Sequence, residues 1–244
     1  PARATLTGRC GWAIPKKFPS ARNASSAGAA TGNTAGGLSP NLYYHHITPL
    51  IYVTGESFPV RAVAAGGHYV FPESEVEVPD TVILALDFAG RHSMVVGGSL
   101  ANSLELPIVV RGHEANIRFT GATHLRPGAI IIEPEPPFAG LFEERIRKLG
   151  IKGVWVESER DDTDARQRYR TRAWWIESPP SESFTENFLR CIRTREKPVL
   201  DGELGYRAQV AVSLGAMAFR YNRVTFFDPV QEKVVDHQPP GIAR

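Results

Sequence analysis

The pattern of apolar positions near the C-terminus predicts two consecutive helices. In residues 204–221 apolar side chains recur at helical spacing, and they are Tyr206, Val210, Leu214, Met217 and Tyr221. Residues 183–195 carry a second stripe, formed by Phe184, Phe188, Leu189 and Ile192. Ser183 and Glu186 have the spacing of a capping box, which marks the start of this helix.

Two more helices are predicted upstream. Residues 41–54 place Leu42, His46, Pro49, Leu50 and Val53 on one helical face, and Gly55 is a natural stop. Pro49 removes a backbone donor, so we expect a kink there. Residues 142–149 form a shorter candidate that ends at Gly150.

Between residues 60 and 132 the pattern changes to short apolar or alternating runs, which predict strands. Short connections favour antiparallel pairing. Because neighbouring residues are both apolar around Leu84, that strand is expected to be covered on both faces. The predicted fold class is α+β, an open and mainly antiparallel sheet with helices packed on one face. The predicted strands are Val60–Ala65, Val78–Phe88, Ser93–Val96, Ile108–Arg111, Ala115–Phe119, Gly128–Ile132 and Val224–Phe227.

Composition excludes several classes of protein. The chain has 244 residues, 42% of them hydrophobic and 22% charged, which is typical of a globular protein. A net charge of +2 gives no reason to expect nucleic-acid or membrane binding through bulk charge. Cys10 and Cys191 are too few for a disulfide scaffold, and no histidine has metal-ligand spacing, so no metal site is predicted. No signal-peptide pattern is visible and a cytoplasmic location is expected, although the chain begins at Pro1 and an address upstream would not be seen.

Several motifs have structural interpretations. The pairs Gly66-Gly67 and Gly97-Gly98 are expected at bulges or turns, and neither belongs to a dinucleotide-binding fingerprint. Residues 133–137, EPEPP, are expected to be an extended surface segment and not an acid/base pair. Trp174-Trp175 fits either a sugar-stacking surface or a sheet contact.

The candidate chemistry lies in the first helix, at Asn41, His45, His46 and Thr48. Asn41 and His45 are four residues apart and share a helix face, so the amide can orient the imidazole for general acid/base work. The alternative is structural, with one histidine buried and satisfied and the other at the surface. Adjacent histidines point about 100° apart on a helix, which is poor geometry for one metal ion.

Two separated blocks resemble a known family. Residues 36–55, GGLSPNLYYHHITPLIYVTG, are similar to the helix that opens the C-terminal domain of the glucose–fructose oxidoreductase/inositol dehydrogenase/MocA family. Residues 184–223 resemble its closing block, an N-F segment, an acidic-Gly turn and a long helix. The resemblance covers about residues 36–230.

The resemblance implies a two-domain oxidoreductase that uses NAD or NADP, with the nucleotide on an N-terminal Rossmann domain that this chain lacks. It implies a small polar substrate such as a sugar or polyol, and a homo-oligomer formed through the sheet face. His45 matches the family's acid/base histidine, whereas Asn41 and Thr48 stand where the family has acids. The expected catalytic residue is His45, and the expected substrate-binding residues are Asn41, His46 and Thr48. Residues 196–198, EKP, are interpreted as a turn.

The expected domains are an irregular Ala/Gly-rich segment at residues 1–37 and the family's C-terminal domain at 38–244. Over residues 23–32 the degenerate codons permit the aromatic and Arg-rich run that the family carries there, so a frameshifted translation is one hypothesis and a genuine linker the other. By itself the chain is expected to bind no cofactor and to be inactive. The alternative function is a non-enzymatic binding or oligomerisation module.

Overall fold

The structure is a computed structural model, and it describes residues 42–55, 58–70, 78–100, 106–120, 129–157, 172–177 and 182–239. They form two compact units, the second from Leu106–Glu196 and the first from the stretches on either side of it. Residues 1–37 and Asn41 lie outside the described residues. The elements in chain order are α1 Tyr44–Thr54, β1 Pro59–Gly67, β2 Thr81–Phe88, β3 His92–Ser99, β4 Val109–Arg111, β5 Ala115–Thr120, β6 Ala129–Pro134, a 3₁₀ turn Pro136–Phe138, α2 Ala139–Leu149, β7 Val154–Glu157, β8 Arg172–Glu177, α3 Phe184–Thr194, α4 Gly202–Arg220, β9 Thr225–Asp228 and β10 Lys233–Val235.

The first unit is a five-stranded sheet in the order β10-β9-β1-β2-β3, with α1 and α4 beside it. Every neighbouring pair of strands is antiparallel. Leu84 and Leu86 of β2 are fully buried with Ile47 and Ile51 of α1, and they form the centre of the core. The predicted α+β class and the antiparallel pairing are therefore confirmed.

The opposite face of this sheet is open among the described residues. Ile83 is 50% exposed and Val95 is 68% exposed, although both are apolar and lie in the middle of strands. The expectation that β2 is covered on both faces is thus wrong for the described part of this chain. Adjacent apolar residues indicate that both faces of a strand are apolar, but they do not show which element packs on each face.

The second unit is a separate five-stranded antiparallel sheet in the order β4-β5-β6-β8-β7. The predicted helix at 142–149 is present and begins three residues earlier, and Gly150 ends it with a left-handed φ of 63°. Strands β7, β8 and β10 were not predicted from the sequence. Residues 158–171 lie outside the described part.

Helix starts follow the sequence closely, but buried faces do not. The Ser183 hydroxyl accepts the Glu186 N–H at 3.2 Å, and the Glu186 carboxylate accepts the Ser183 N–H at 2.9 Å, which confirms the capping box. The stripe expected to be buried is exposed instead, with Phe184 at 78%, and the buried residues of α3 are Asn187 and Cys191. That stripe predicts where an apolar face lies, not whether this chain covers it.

The face of α1 is also corrected. Tyr43, Ile47 and Ile51 are buried, whereas Leu42 and Val53 of the predicted stripe are largely exposed. Apolar residues occur on more than one side of this helix, so periodicity alone cannot select the side that meets the sheet. In α4 the interior members Val210 and Leu214 are buried as predicted, while Tyr206 and Tyr221 at its ends are exposed.

Two further expectations are overturned. The glycine pairs are not bulges, because Gly66, Gly67, Gly97 and Gly98 all pair in regular register with β2. Glu133 is not on a surface segment either, because it is buried in β6 and forms an ion pair with Arg118 at 2.8 Å. A buried carboxylate needs such a partner, and spacing alone did not reveal it.

Candidate functional site

Helix α1 carries the candidate residues and is anchored to the sheet by Tyr43. The buried Tyr43 hydroxyl donates a hydrogen bond to the carbonyl of Val82 and lies 3.5 Å from the carbonyl of Gly98. A Cβ at Gly98 would lie 3.3 Å from the Tyr43 ring, so glycine permits this close approach. Burial raises the pKa of Tyr43 to about 12, and the hydrogen bond with the Gly98 backbone opposes that shift.

The anchoring of α1 turns His45 towards solvent. Two residues correspond to about 200° around a helix, so His45 lies nearly opposite the buried side chains of Tyr43 and Ile47. His45 is exposed, and its imidazole has no hydrogen-bond partner among the described residues. Its ring meets the edge of Tyr44 at 6.2 Å between centroids. Because the imidazole is accessible, it can exchange a proton with a bound molecule.

The other predicted residues occupy different environments. Asn41 lies outside the described residues, so its predicted contact with His45 stays a prediction. His46 is half-buried, and its Nδ1 lies 3.3 Å from the carbonyl of Leu42. Thr48 is buried, and its hydroxyl donates to the Tyr44 carbonyl at 2.7 Å. Of the candidates in the described part, only His45 has no side-chain hydrogen bond to another described residue.

Pro49 leaves a second polar group of His45, its backbone carbonyl, without a helical hydrogen bond. Helix α1 continues through Pro49 to Thr54. Proline has no N–H, so the His45 carbonyl lacks its usual donor four residues later. His45 therefore offers both an imidazole and a backbone acceptor.

A buried carboxylate that was not predicted holds the segment after β1. Asp80 is fully buried, and its Oδ2 accepts the N–H groups of Tyr69 and Val70 at 2.9 and 2.8 Å. Its Oδ1 accepts the Thr81 hydroxyl at 2.9 Å. These donors compensate for the burial of the carboxylate. In the sequence Asp80 follows three glutamates and lies within the predicted strand Val78–Phe88, so nothing marks it as the buried acid.

Each unit also contains an open cleft. In the first unit a cleft of about 820 Å³ lies over Arg61, Asp87 and Ser93, where Arg61 and Asp87 form an ion pair at 2.9 Å. In the second unit a cleft of about 640 Å³ lies beside Trp155 and Trp174. Within the described ranges, no three His, Cys, Asp or Glu side chains are grouped as metal ligands would be. None of the helices in those ranges is long and apolar enough to span a membrane.

Residues 28–226 match the family model described as "Oxidoreductase family, C-terminal alpha/beta domain". No curated protein matches the chain.

Solved structures share the fold at low sequence identity. Aldose-aldose oxidoreductase from Caulobacter crescentus, complexed with glycerol, aligns with a TM-score of 0.57 at 16% identity, over 82% of this chain and 50% of that one. An NAD-binding protein from Listeria innocua aligns with a TM-score of 0.55 at 15% identity, over 81% of this chain and 53% of that one. An oxidoreductase from Agrobacterium radiobacter, in complex with NAD+, L-tartaric acid and magnesium, aligns with a TM-score of 0.54 at 11% identity, over 85% and 53%. The chain spans about half the length of these structures.

Proposed function

Because the chain belongs to the Gfo/Idh/MocA oxidoreductase family through that family's C-terminal alpha/beta domain, we propose that it is the substrate-binding part of an NAD(P)-dependent oxidoreductase. The substrate would be a sugar, a polyol or a related hydroxy compound. The complexes of two similar structures with glycerol and with L-tartaric acid, both small hydroxylated molecules, support this class. By itself the chain would be inactive.

The nucleotide does not fit the described residues. A dinucleotide site needs a parallel strand, a Gly-rich turn and a helix N-terminus that meets the pyrophosphate. All strand pairs of both described sheets are antiparallel. NAD or NADP would therefore be held by a different part of the intact protein.

The exposed imidazole of His45 is the observation that carries the proposal. In the oxidation of an alcohol, a base must accept the hydroxyl proton, and His45 can do so at a ring nitrogen that no described residue occupies. The His45 carbonyl, freed by Pro49, could accept a second substrate hydroxyl. If Asn41 faces His45, its amide orients the ring but cannot raise its basicity as a carboxylate would.

Two neighbours of His45 have narrower proposed roles. If His46 donates its Nδ1–H to Leu42, its Nε2 remains an acceptor for a substrate hydroxyl. The Thr48 hydroxyl already donates its proton to the Tyr44 carbonyl within the helix. Its proposed role in substrate binding is therefore to shape the site and not to donate a hydrogen bond. Both roles are weaker than that of His45.

The composition of the open sheet face supports a homo-oligomer that forms through it. Its centre is apolar, with Val63, Ala85 and Val95 in one register row. A polar row, Arg61–Asp87–Ser93, borders this centre. In it Arg61 forms an ion pair with Asp87, and the Ser93 hydroxyl donates a hydrogen bond to Asp87 at 2.6 Å. An apolar centre with a polar rim is typical of a protein–protein interface.

The test pairs the chain with a nucleotide-binding domain. That domain is taken from a relative, and reduction of NAD+ and NADP+ is followed by absorbance with a panel of sugars and polyols. His45→Ala should lower kcat by about a hundredfold or more, because general-base catalysis contributes about that much. His237→Ala is the matched control, since His237 is an exposed histidine outside α1.

Each outcome decides between the two functions. A lower kcat with an unchanged KM in His45→Ala supports the acid/base role. Equal activity in His45→Ala and His237→Ala would refute it. No activity with any cofactor or substrate, in a complex shown to form, would favour the non-enzymatic module that the open sheet face also suits.

A further inference from the structure

We propose that the second unit contains a saccharide-binding site, located in the cleft between α2 and the β7–β8 edge of the sheet. This site is distinct from the His45 helix and does not depend on the proposed oxidoreductase function. The ligand class is a sugar ring that presents an apolar C–H face and vicinal hydroxyls.

The floor of the cleft is aromatic and held in place. Trp155 and Trp174 meet edge to face, with ring centroids 5.0 Å apart and an angle of 70°. Phe142 of α2 meets Trp155 edge-on at 6.2 Å, and the Arg172 guanidinium lies 5.7 Å from the Trp155 ring centroid. Both indoles are half-buried, so each keeps accessible surface. A preorganised aromatic surface can pack against the C–H face of a sugar at little entropic cost.

Strand geometry separates the two adjacent tryptophans. Successive side chains of a strand point to opposite faces, so Trp174 lines the cleft and Trp175 does not. Gly153 makes the position of Trp174 possible, because a Cβ there would lie 2.6 Å from the indole Nε1. That Nε1 is buried and has no acceptor among the described residues.

The rim of the cleft carries uncommitted polar groups. Glu143 and Arg147 line it from one side of α2, and neither has an ion-pair partner in the described part of the chain. Glu144 also lines it and pairs with Lys148 at 2.6 Å. A carboxylate accepts hydrogen bonds from hydroxyls and a guanidinium donates to their oxygens, so the pair suits neighbouring hydroxyls.

Size and charge favour a neutral, polyhydroxylated ligand. The volume of about 640 Å³ is in the usual range of small-molecule sites. Acidic and basic side chains are mixed around the rim, so neither a phosphate nor an organic cation is preferred. Aromatic floor and mixed polar rim together fit a saccharide.

The test uses the full chain with D-glucose, cellobiose and maltotriose as probes, read by saturation-transfer NMR and by tryptophan fluorescence. Wild type should bind at least one probe with a Kd in the millimolar range. Trp174→Ala and the exposed substitution Glu143→Ala should each raise that Kd by about tenfold or more. Glu143→Ala removes only a surface carboxylate, so its effect is not a failure to fold.

A control in the same strand makes the result specific. Trp175→Ala removes an indole from the opposite face of the strand, and it should leave the Kd within about twofold. Absence of saturation transfer to all three probes at about 10 mM would overturn the site. An equal loss in Trp175→Ala, or no change in Glu143→Ala and Trp174→Ala, would overturn it as well.

Discussion

Tyr43 links the helix that carries His45 to the sheet beneath it. Its hydroxyl is buried and donates to the Val82 carbonyl, and its ring passes over Gly98. The interaction matters for function because it sets which side of α1 faces solvent. Together with the buried Ile47 and Ile51, this anchor keeps the candidate imidazole on the solvent side of α1.

Replacing Tyr43 with Phe should lower the free energy of unfolding by about 1–2 kcal/mol, because the Val82 carbonyl then loses a buried donor. Urea denaturation followed by circular dichroism measures this. Tyr52→Phe is the control, since Tyr52 lies on the exposed side of the same helix. Equal stability of the two variants would show that the Tyr43 hydrogen bond contributes nothing.

Because of Tyr43, we also expect the free energy of unfolding to depend on pH in the alkaline range. Burial raises the pKa of Tyr43 from 10.0 to about 12, so between these values the unfolded chain releases a proton that the folded chain keeps. Stability is therefore fully present below pH 10 and decreases as the pH rises towards 12, by about 1.4 kcal/mol per pH unit. Tyr43→Phe should flatten this part of the profile, and parallel profiles would contradict the raised pKa.

At the scale of elements, close packing of helix on sheet holds the first unit together. Gly215 of α4 lies directly over Leu84 of β2, and a Cβ there would meet a Leu84 methyl at 2.6 Å. The hydroxyl of Thr225 in β9 donates a hydrogen bond to the Leu214 carbonyl at 3.0 Å. Small residues in α4, including Ala208, Ala211 and Ala218, are fully or almost fully buried and allow the same approach.

Gly215→Ala should therefore destabilise the protein by about 1–3 kcal/mol, although alanine is the better helix former by about 1 kcal/mol. Leu84 is fully buried in the core of the first unit. Gly202→Ala in the same helix should be neutral or slightly stabilising, because nothing lies within 4 Å of its added Cβ. Thermal unfolding of both variants checks the contrast, and a stabilised Gly215→Ala would show that the contact is loose.

At the scale of the whole molecule, the open sheet face is the largest feature that the described residues leave uncovered. Its apolar centre lies between the Arg61–Asp87–Ser93 row and a second polar pair, Thr81 and Ser99, whose hydroxyls are 2.8 Å apart. A second copy of the chain would cover the centre and leave the polar rows at the rim.

Val95→Lys should therefore convert an oligomer into a monomer of 26.8 kDa, because the ammonium would be buried without a partner. Light scattering coupled to size exclusion measures the mass. Val230→Lys is the matched control, since Val230 is 91% exposed in the turn between β9 and β10. A monomeric wild type, or a Val95→Lys variant of unchanged mass, would refute the interface.

The sequence by itself determined what depends on neighbouring residues in the chain. The capping box at Ser183, the stop at Gly150 and seven of the ten described strands follow from local backbone preferences. The family resemblance also came from the sequence, because residues 36–55 and 184–223 match two blocks of the family in the right order. The position of His45 on an α-helix is local in the same sense.

Only the tertiary structure decided which sides of these elements are buried. Helix α1 is apolar on more than one side, and the contact of Tyr43 with Val82 and Gly98 selects the side that turns His45 outward. Helix α3 has a strong apolar stripe that the described residues leave exposed. The cleft at Trp155 and Trp174 joins strands that are separated by residues 158–171. Burial depends on which distant segment arrives at a face, and periodicity carries no information about that partner.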